Sequence, residues 1–327
     1  MIPIFFSIDD NYVPFLSVAI SSMIRNASPK HSYRIIILYE ELTPQNRQKL
    51  SGLAADNVDI QFVVMGNHNI TNRMENCLRA DYFTLTIYFR LFIPVMFPEY
   101  DKAIYLDSDT VILGDISELF QIELKDNLIG AVSDYSIVDV PPLAKYIEYG
   151  IGVDKYDYVN SGVLLMNLKK LREVRFERRF LDLMNTFHFD SIAPDQDYLN
   201  VMCKGNIRYL PSSWNTMPVE GKETIRIPQI IHYNLFSKPW YYDNVPYGNY
   251  FWQYAKDSVF YHLIRSIKMQ YTEKERQADR ESMELLLCRG ELIADAEVNF
   301  RTVLASSGKS PIAKRNANLR FRKEMYL

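Results

Sequence analysis

The sequence predicts an α/β domain built on a mostly parallel sheet with helices on both faces, followed by a C-terminal helical extension. Short apolar runs alternate with segments of helical periodicity through the first part of the chain, which is the order of consecutive βαβ units. The apolar runs contain few polar residues, as strands do when helices cover both faces of a sheet. After about residue 240 the pattern becomes helical and rich in Glu, Arg and Lys.

The first elements can be placed from periodicity and capping residues. Predicted strands cover 3–8, 34–39 and 59–65, and a predicted helix covers 12–26. Thr43 and Pro44 predict the start of a second helix, because Thr is a favourable N-cap and Pro suits the first turn.

The remaining elements continue the alternation. Helices are predicted at 84–97, 168–188 and 195–204, and strands at 102–107, 127–134, 158–167 and 225–233. The segment 168–188 is predicted to be one long amphipathic helix. We expect a catalytic domain over 1–248 and a helical extension with a basic tail over 249–327.

The bulk composition indicates a folded protein without affinity for nucleic acid. Hydrophobic residues make up 48% of the 327 residues and charged residues 24%, which is the balance of a globular protein rather than a disordered one. The formal charge of −3 gives no general attraction to nucleic acid, so we expect no such partner.

The termini and cysteines suggest a reduced compartment. The first ten residues lack a basic region and end in two acids, so we interpret them as a strand and not a signal peptide. No apolar stretch approaches the roughly 18 residues that span a bilayer. Cys77, Cys203 and Cys288 are odd in number and lack metal or redox-motif spacing. A cytoplasmic protein is therefore expected.

Two carboxylates leave the end of the buried strand 102–107, in the run Asp107-Ser108-Asp109. Ligands bind at this edge of open α/β sheets. Two neighbouring acids repel each other unless a cation joins them, and oxygen ligands suit Mg²⁺ or Mn²⁺. The alternative is a turn with an Asx hydrogen bond.

The same acids also resemble the first motif of haloacid-dehalogenase-type phosphatases, with Asp107 as nucleophile and Asp109 as acid/base. Against this, three strands precede the motif, whereas it normally lies on the first strand. No later pair of acids occurs in the usual glycine-containing metal motif. The phosphatase remains the alternative enzyme.

Polar residues also occur at or near the ends of other predicted strands. The first strand ends in Ser7-Ile-Asp-Asp-Asn-Tyr12, where one acid could cap the next helix and the others could bind a nucleoside. Asn160-Ser161-Gly162 lies near the start of the predicted strand 158–167, and the glycine indicates either close approach of a ligand or a bulge. His232 lies at the end of the late predicted strand 225–233, and Lys238 follows that strand. His232 could be structural, whereas Lys238 suits phosphate.

These stretches, in this order, resemble glycosyltransferase family 8, which includes bacterial lipopolysaccharide galactosyl- and glucosyltransferases and the glycogenins. The resemblance covers about residues 2–242. It implies a GT-A fold, a UDP-sugar donor (UDP-glucose or UDP-galactose), Mn²⁺ (or Mg²⁺) as cofactor, and retention of anomeric configuration. It also implies a saccharide or glycolipid acceptor.

The resemblance assigns roles residue by residue. Asp107, Asp109 and His232 would bind the metal. Asp9, Asn11 and Tyr12 would hold uridine, and Lys238 would contact phosphate. Arg90 would lie near the sugar, and Asn160 and Asp195 would contact donor hydroxyls. Ser7, Ser108 and Ser161 complete the predicted donor-binding set. Gln196 near the anomeric carbon, Asp195, and Asp134 near the acceptor form the predicted catalytic set.

One position departs from the family pattern, because members often have His-x-x-Gly before the Lys and this chain has Leu235. The backbone is therefore expected to approach phosphate differently. The basic tail over 309–327 suggests peripheral contact with anionic lipid, or a solvated terminus. A non-catalytic nucleotide-sugar binder remains a third functional alternative.

Overall fold

The computed structural model describes residues 1–65, 85–220 and 225–306. The basic tail predicted to contact membrane, residue 84 of the predicted helix, and Cys77 lie outside the described residues. No helix in the described ranges is long and apolar enough to cross a membrane.

A seven-stranded sheet forms the centre of the fold, in the order β3-β2-β1-β4-β7-β6-β8, with β5 and β9 as a separate two-stranded sheet. The strands are Ile2–Ile8 (β1), Tyr33–Tyr39 (β2), Val58–Val64 (β3), Ala103–Leu106 (β4), Thr110–Ile112 (β5), Ile129–Ala131 (β6), Val163–Met166 (β7), Ile207–Tyr209 (β8) and Ile230–His232 (β9). Only β7 runs antiparallel to its neighbours in the main sheet. The predicted fold class is confirmed.

The direction of β7 decides which residues meet at the sheet edge. Because β7 is antiparallel to β4, its first residue, Val163, pairs with Leu106 at the end of β4. The polar residues that precede β7 therefore lie beside the acids that follow β4. The strand β9, which is shorter than predicted, pairs with β5 instead of the main sheet, and brings His232 opposite Thr110.

Helices surround the sheet and then form the C-terminal part. The α-helices are Val13–Asn26 (α1), Pro44–Ser51 (α2), Phe89–Met96 (α3), Ile116–Gln121 (α4), Pro141–Lys145 (α5), Leu168–Glu173 (α6), Phe176–Phe187 (α7), Pro194–Cys203 (α8), Gly248–Ala255 (α9), Tyr261–Gln270 (α10), Glu273–Asp295 (α11) and Phe300–Ser306 (α12). Shorter turns are the 3₁₀-helices Asp10–Tyr12, Leu85–Tyr88 and Ser212–Asn215, and the π-helix Tyr146–Ile151.

The prediction of one helix over 168–188 is wrong. Arg175 adopts φ +53°, in the left-handed region, between α6 and α7. The chain therefore turns there and buries Phe176 and Phe180 in the core. The sequence has no Gly or Pro at this point to indicate a break, so tertiary packing decides it.

The helices after residue 248 pack onto both sides of the preceding domain. Phe251 of α9 and Ile264 of α10 belong to the apolar core that contains α1. Ile293 of α11 and Phe300 of α12 belong to a second core on the other face of the sheet. The helical character predicted for the extension is present over the described residues, and the domain boundary at 248 stays a prediction.

Candidate active site

The turn after β4 presents two acids at the sheet edge. The backbone N–H of Asp107 donates to the carbonyl of Gly162 at 2.7 Å, and the hydroxyl of Thr110 donates to the carbonyl of Asp107 at 2.8 Å. The carbonyl of Asp109 accepts the backbone N–H of Tyr233 at 3.0 Å. The acids are therefore held by the backbone of neighbouring strands.

Asp107, Asp109 and His232, here called the metal cluster, could hold a metal ion, because one possible ligand atom from each lies within 4.8 Å of the others. Nε2 of His232 lies 3.3 Å from Oδ1 of Asp109 and 3.7 Å from Oδ2 of Asp107. Among the described residues, Oδ1 of Asp109 is buried without a hydrogen-bond donor. Such an oxygen is costly unless a cation or another partner satisfies it. The donor set of two carboxylates and an imidazole suits Mn²⁺ or Mg²⁺.

Lys238 supplies a positive charge to the same cluster. Its ammonium is buried and donates to Oδ2 of Asp109 at 2.5 Å and to the carbonyl of Tyr233. Burial alone would raise the pKa of Asp109, but the charge of the Lys238 ammonium opposes this and holds that pKa below its usual range. Asp109 is therefore ionised and suited to bind a cation.

Arg90 joins the metal cluster to another acid. Its buried guanidinium donates to Oδ1 of Asp107 at 2.9 Å and lies 3.1 Å from Oδ2 of Asp195. It also donates to the carbonyl and hydroxyl of Ser161, at 2.7 and 3.1 Å, and lies over the ring of Tyr105. Burial would lower the pKa of Arg90, but Asp107 and Asp195 raise it, so the guanidinium stays charged.

Asp195 is the most buried acid in direct contact with Arg90. It is 7% exposed and accepts a hydrogen bond from the hydroxyl of Ser161 at 2.9 Å. Burial raises its pKa above the usual value, although the charge of Arg90 opposes the shift. Arg90 therefore compensates the negative charges of both Asp107 and Asp195.

A line of hydrogen bonds, here called the amide chain, links His232, Asn215, Asn160, Asp134 and Gln196. Nδ1 of His232 lies 3.1 Å from Oδ1 of Asn215, whose amide nitrogen donates to Oδ1 of Asn160 at 2.9 Å. The amide nitrogens of Asn160 and Gln196 both donate to Oδ2 of Asp134, at 3.0 and 3.1 Å. All five side chains are buried.

The amide of Gln196 is held at both ends. Its oxygen accepts the backbone N–H of Ser161 at 2.9 Å, while its nitrogen donates to Asp134. The other oxygen of Asp134 accepts from the hydroxyl of Ser136, which in turn accepts from the amide of Asn234. Both carboxylate oxygens of Asp134 therefore have donors within the protein.

The residues predicted to hold uridine lie around the end of β1. Oδ1 of Asp9 accepts the backbone N–H groups of Asn11 and Tyr12 at 2.9 and 3.2 Å, so this acid caps the following turn. Burial, and next the charge of Asp109, raise the pKa of Tyr12. Ser7 is the penultimate residue of β1. Asn11 is exposed, and the uridine roles stay predictions.

Two other predicted positions can be placed. Ser108 lies between the two acids and is 8% exposed. Leu235, the departure from the family pattern, has φ +55°, which is the left-handed region that glycine adopts freely. The chain therefore keeps a backbone suited to glycine while carrying a half-exposed leucine.

Residues near the site that are missing from the sequence-based set include Asn215, Tyr105 and Asp197. Asn215 follows the buried Trp214 in a short 3₁₀-helix, and nothing in its local pattern indicates contact with His232. The hydroxyl of Tyr105 donates to Oδ1 of Asp107 at 2.9 Å. Tyr105 lies on β4 two residues before Asp107, and side chains two residues apart on an extended chain share a face, so this spacing could have indicated the contact. Asp197 lies within the acidic helix start but is fully buried.

Residues 3–244 match the family model described as glycosyl transferase family 8. A predicted glycosyltransferase of Haemophilus influenzae is 30% identical over 218 residues, covering 66% of this chain and 64% of its own length. The lipopolysaccharide 1,2-glucosyltransferase of Escherichia coli K12 is 27% identical over 252 residues, covering 72% of each chain.

Solved structures show the same fold. The galactosyltransferase LgtC, in complex with donor and acceptor sugar analogues, matches with a TM-score of 0.64 and 25% identity, over 79% of this chain and 96% of that one. The bifunctional glycosyltransferase WbbM matches with a TM-score of 0.67 and 24% identity. The match covers 82% of this chain but only 52% of WbbM.

Proposed function

Because this chain belongs to glycosyl transferase family 8, we propose that it transfers a hexose, either galactose or glucose, from a UDP-sugar to a saccharide or glycolipid acceptor. The observation that carries the proposal is the metal cluster of Asp107, Asp109 and His232 at the ligand-binding edge of the sheet. The family match includes Asp107 and Asp109, so we no longer interpret these two acids as the catalytic pair of a phosphatase.

The residues present fit a divalent cation. Asp107, Asp109 and His232 would hold Mn²⁺ or Mg²⁺, and a cation there would neutralise charge on the departing diphosphate. Lys238 is buried against Asp109 and would present its ammonium to the same phosphates. An ammonium and a cation held in a site shielded from water would stabilise the developing charge more than they would in bulk water.

The donor would lie across the sheet edge, with its nucleoside at the end of β1 and its sugar towards β7. Tyr12 would stack on uracil, while Asp9, Asn11 and Ser7 would bind the nucleoside. Near the sugar, Arg90 fixes Asp195 and Ser161 by direct contact. Asn160 and Asp195 would then receive the sugar hydroxyls in a prearranged geometry.

Retention of configuration is proposed to proceed by attack from the same face as the departing UDP. An amide oxygen is a weak nucleophile, and that of Gln196 already accepts a backbone N–H. In the proposed reaction the bond from the anomeric carbon to UDP breaks as the acceptor oxygen approaches. The leaving phosphate oxygen takes the acceptor proton. Gln196 and Asp134 would position the sugar and the acceptor.

The acceptor is proposed to be a saccharide or a glycolipid of the lipopolysaccharide class, since a curated relative is a lipopolysaccharide glucosyltransferase. A cytoplasmic location is proposed because three widely spaced cysteines suit a reduced compartment. Peripheral attachment to the inner face of the membrane, through the basic tail, is part of the same proposal.

The test is release of UDP from UDP-glucose and UDP-galactose, each measured with Mn²⁺ and with EDTA. We expect release from one donor, dependent on the cation, and loss of that release in Asp109→Asn. Binding of UDP without turnover, even with candidate acceptors, would favour a non-catalytic binder. Absence of both UDP binding and release would contradict the proposal.

A further inference from the structure

Asn215 lies where the metal cluster meets the amide chain, and none of the sequence motifs indicates it. It is fully buried at the end of the 3₁₀-helix Ser212–Asn215. The next residue, Thr216, exchanges backbone hydrogen bonds with β9: its N–H donates to Ile230 and its carbonyl accepts from His232. Asn215 is therefore fixed relative to the strand that carries His232.

Two groups determine how the side-chain amides of the amide chain are oriented, because one can only accept a hydrogen bond and the other can only donate one. The carboxylate of Asp134 only accepts hydrogen bonds, so Asn160 must direct its nitrogen there. The backbone N–H of Gly162 only donates, and it donates to Oδ1 of Asn160 at 2.9 Å. Both contacts give Asn160 the same orientation, with its oxygen facing Asn215.

This orientation passes on to His232. Because Oδ1 of Asn160 is an acceptor, Asn215 must turn its nitrogen towards it, which leaves Oδ1 of Asn215 facing Nδ1 of His232. A carbonyl oxygen can only accept, so Nδ1 must carry the hydrogen. In neutral His232 the lone pair then lies on Nε2, which faces Asp107 and Asp109.

We propose that Asn215 is a positioning residue that fixes the Nδ1–H tautomer of His232 and couples the metal cluster to the residues placed around the donor sugar. This inference rests on the proposed function, because it assumes that the cation binds at the His232 end of the amide chain and the donor sugar at the Gln196 end. Partners of this kind orient metal-binding histidines, and their removal typically weakens metal binding about 10- to 100-fold.

Two substitutions distinguish the contact of Asn215 with His232 from its contact with Asn160. Asn215→Ala removes both contacts, so we expect Mn²⁺ affinity to fall about 10- to 100-fold. Asn215→Asp keeps an acceptor for Nδ1–H of His232 but removes the donor to Asn160. Its Mn²⁺ affinity should stay close to that of the unaltered chain, while kcat for UDP release falls and KM for the donor changes little.

A matched control is Asn299→Ala, which removes another buried asparagine amide. Asn299 is 3% exposed and donates to the carbonyls of Tyr149, Ile293 and Ala296 in the C-terminal helices. This variant should lose stability without losing affinity for Mn²⁺. Thermal unfolding of all three variants shows which of them fold.

Calorimetric titration with Mn²⁺ is the first measurement, and imidazole ¹⁵N NMR of the metal-free chain is the second. In the NMR spectrum, neutral His232 should be the Nδ1–H tautomer in the unaltered chain and in Asn215→Asp, and a mixture in Asn215→Ala. His232→Ala assigns the signal.

The outcomes distinguish this inference from the proposed function. If the unaltered chain does not bind Mn²⁺, the proposed metal site is wrong, and the NMR spectra still decide the tautomer. Folded Asn215→Ala with unchanged Mn²⁺ affinity and an unchanged tautomer would overturn the role of Asn215 alone. Equal loss of Mn²⁺ affinity in Asn215→Ala and Asn215→Asp would also overturn it.

Discussion

Gly162 lies directly against the imidazole ring of His232. A β-carbon at position 162 would come within 2.2 Å of Cε1 of His232 and 2.6 Å of Oδ2 of Asp107. Glycine is therefore required here by the close approach of two predicted metal ligands. The bulge suggested by the sequence is not needed to explain the glycine.

Gly162→Ala is expected to displace His232 and Asp107 and to lower Mn²⁺ affinity at least about 10-fold, by analogy with loss of an orienting contact. Calorimetric titration measures the affinity. Gly248→Ala serves as control, since a β-carbon there meets only ordinary contacts at 3.5 and 3.7 Å. Unchanged Mn²⁺ binding in folded Gly162→Ala would show that the cluster does not bind the cation.

Arg90 compensates the negative charges of Asp107 and Asp195, so its removal should lower the free energy of unfolding. Arg90→Ala leaves Asp195 buried without its cation, and breaking a buried ion pair in this way typically costs about 3–5 kcal/mol. Urea unfolding at pH 7 measures the change in the free energy of unfolding. Arg25→Ala provides the comparison, because the Arg25–Asp257 pair is half exposed and should cost about 1 kcal/mol or less. Similar losses in both variants would contradict the assignment.

Asp197 should make stability depend on pH. Burial raises the pKa of Asp197 from 3.8 to about 6. The hydroxyls of Ser191, Tyr146 and Tyr158 donate hydrogen bonds to this carboxylate and reduce the shift without cancelling it. Because the folded pKa exceeds the unfolded value, this contribution to stability is full below pH 4 and is lost as pH rises through about 6. The shift corresponds to about 3 kcal/mol.

The pH dependence can be isolated with Asp197→Asn, which removes this titration. The difference in unfolding free energy between the unaltered chain and the variant should change by about 2 kcal/mol between pH 4 and pH 7, with the unaltered chain favoured at pH 4. Urea unfolding at several pH values measures it. A difference that does not vary with pH would show that Asp197 keeps an ordinary pKa.

Leu235 stores backbone strain at a position where the family often has glycine. A left-handed conformation costs an L-residue about 1–2 kcal/mol. Leu235→Gly should therefore be more stable than Leu235→Ala by about 1 kcal/mol, the reverse of the usual order of the two residues. Thermal and urea unfolding of both variants decide this. An alanine variant as stable as the glycine variant would remove the strain argument.

The sequence by itself determined the fold class and most residues at the sheet edge. Nearly continuous apolar strands alternating with helices predict a covered parallel sheet, because side-chain periodicity is a local property of the chain. Acids directly after β4, polar residues after β1, and the polar residue that ends β9 then fall at one edge, since the chain order of strands limits where their ends can lie. Family resemblance added roles to these positions.

Only the tertiary structure decided how these residues contact one another. The antiparallel direction of β7 placed Gly162 against His232, and its strand pattern alone carries no direction. Asn215 lies at the site because the next residue, Thr216, pairs with β9. This contact joins two segments of the chain, and the periodicity within either segment does not indicate it. The helix breaks at Arg175, directly before the buried Phe176, although neither Gly nor Pro occurs there to indicate a break. Periodicity shows which face of an element is buried, whereas contacts between elements depend on the packing of the whole chain.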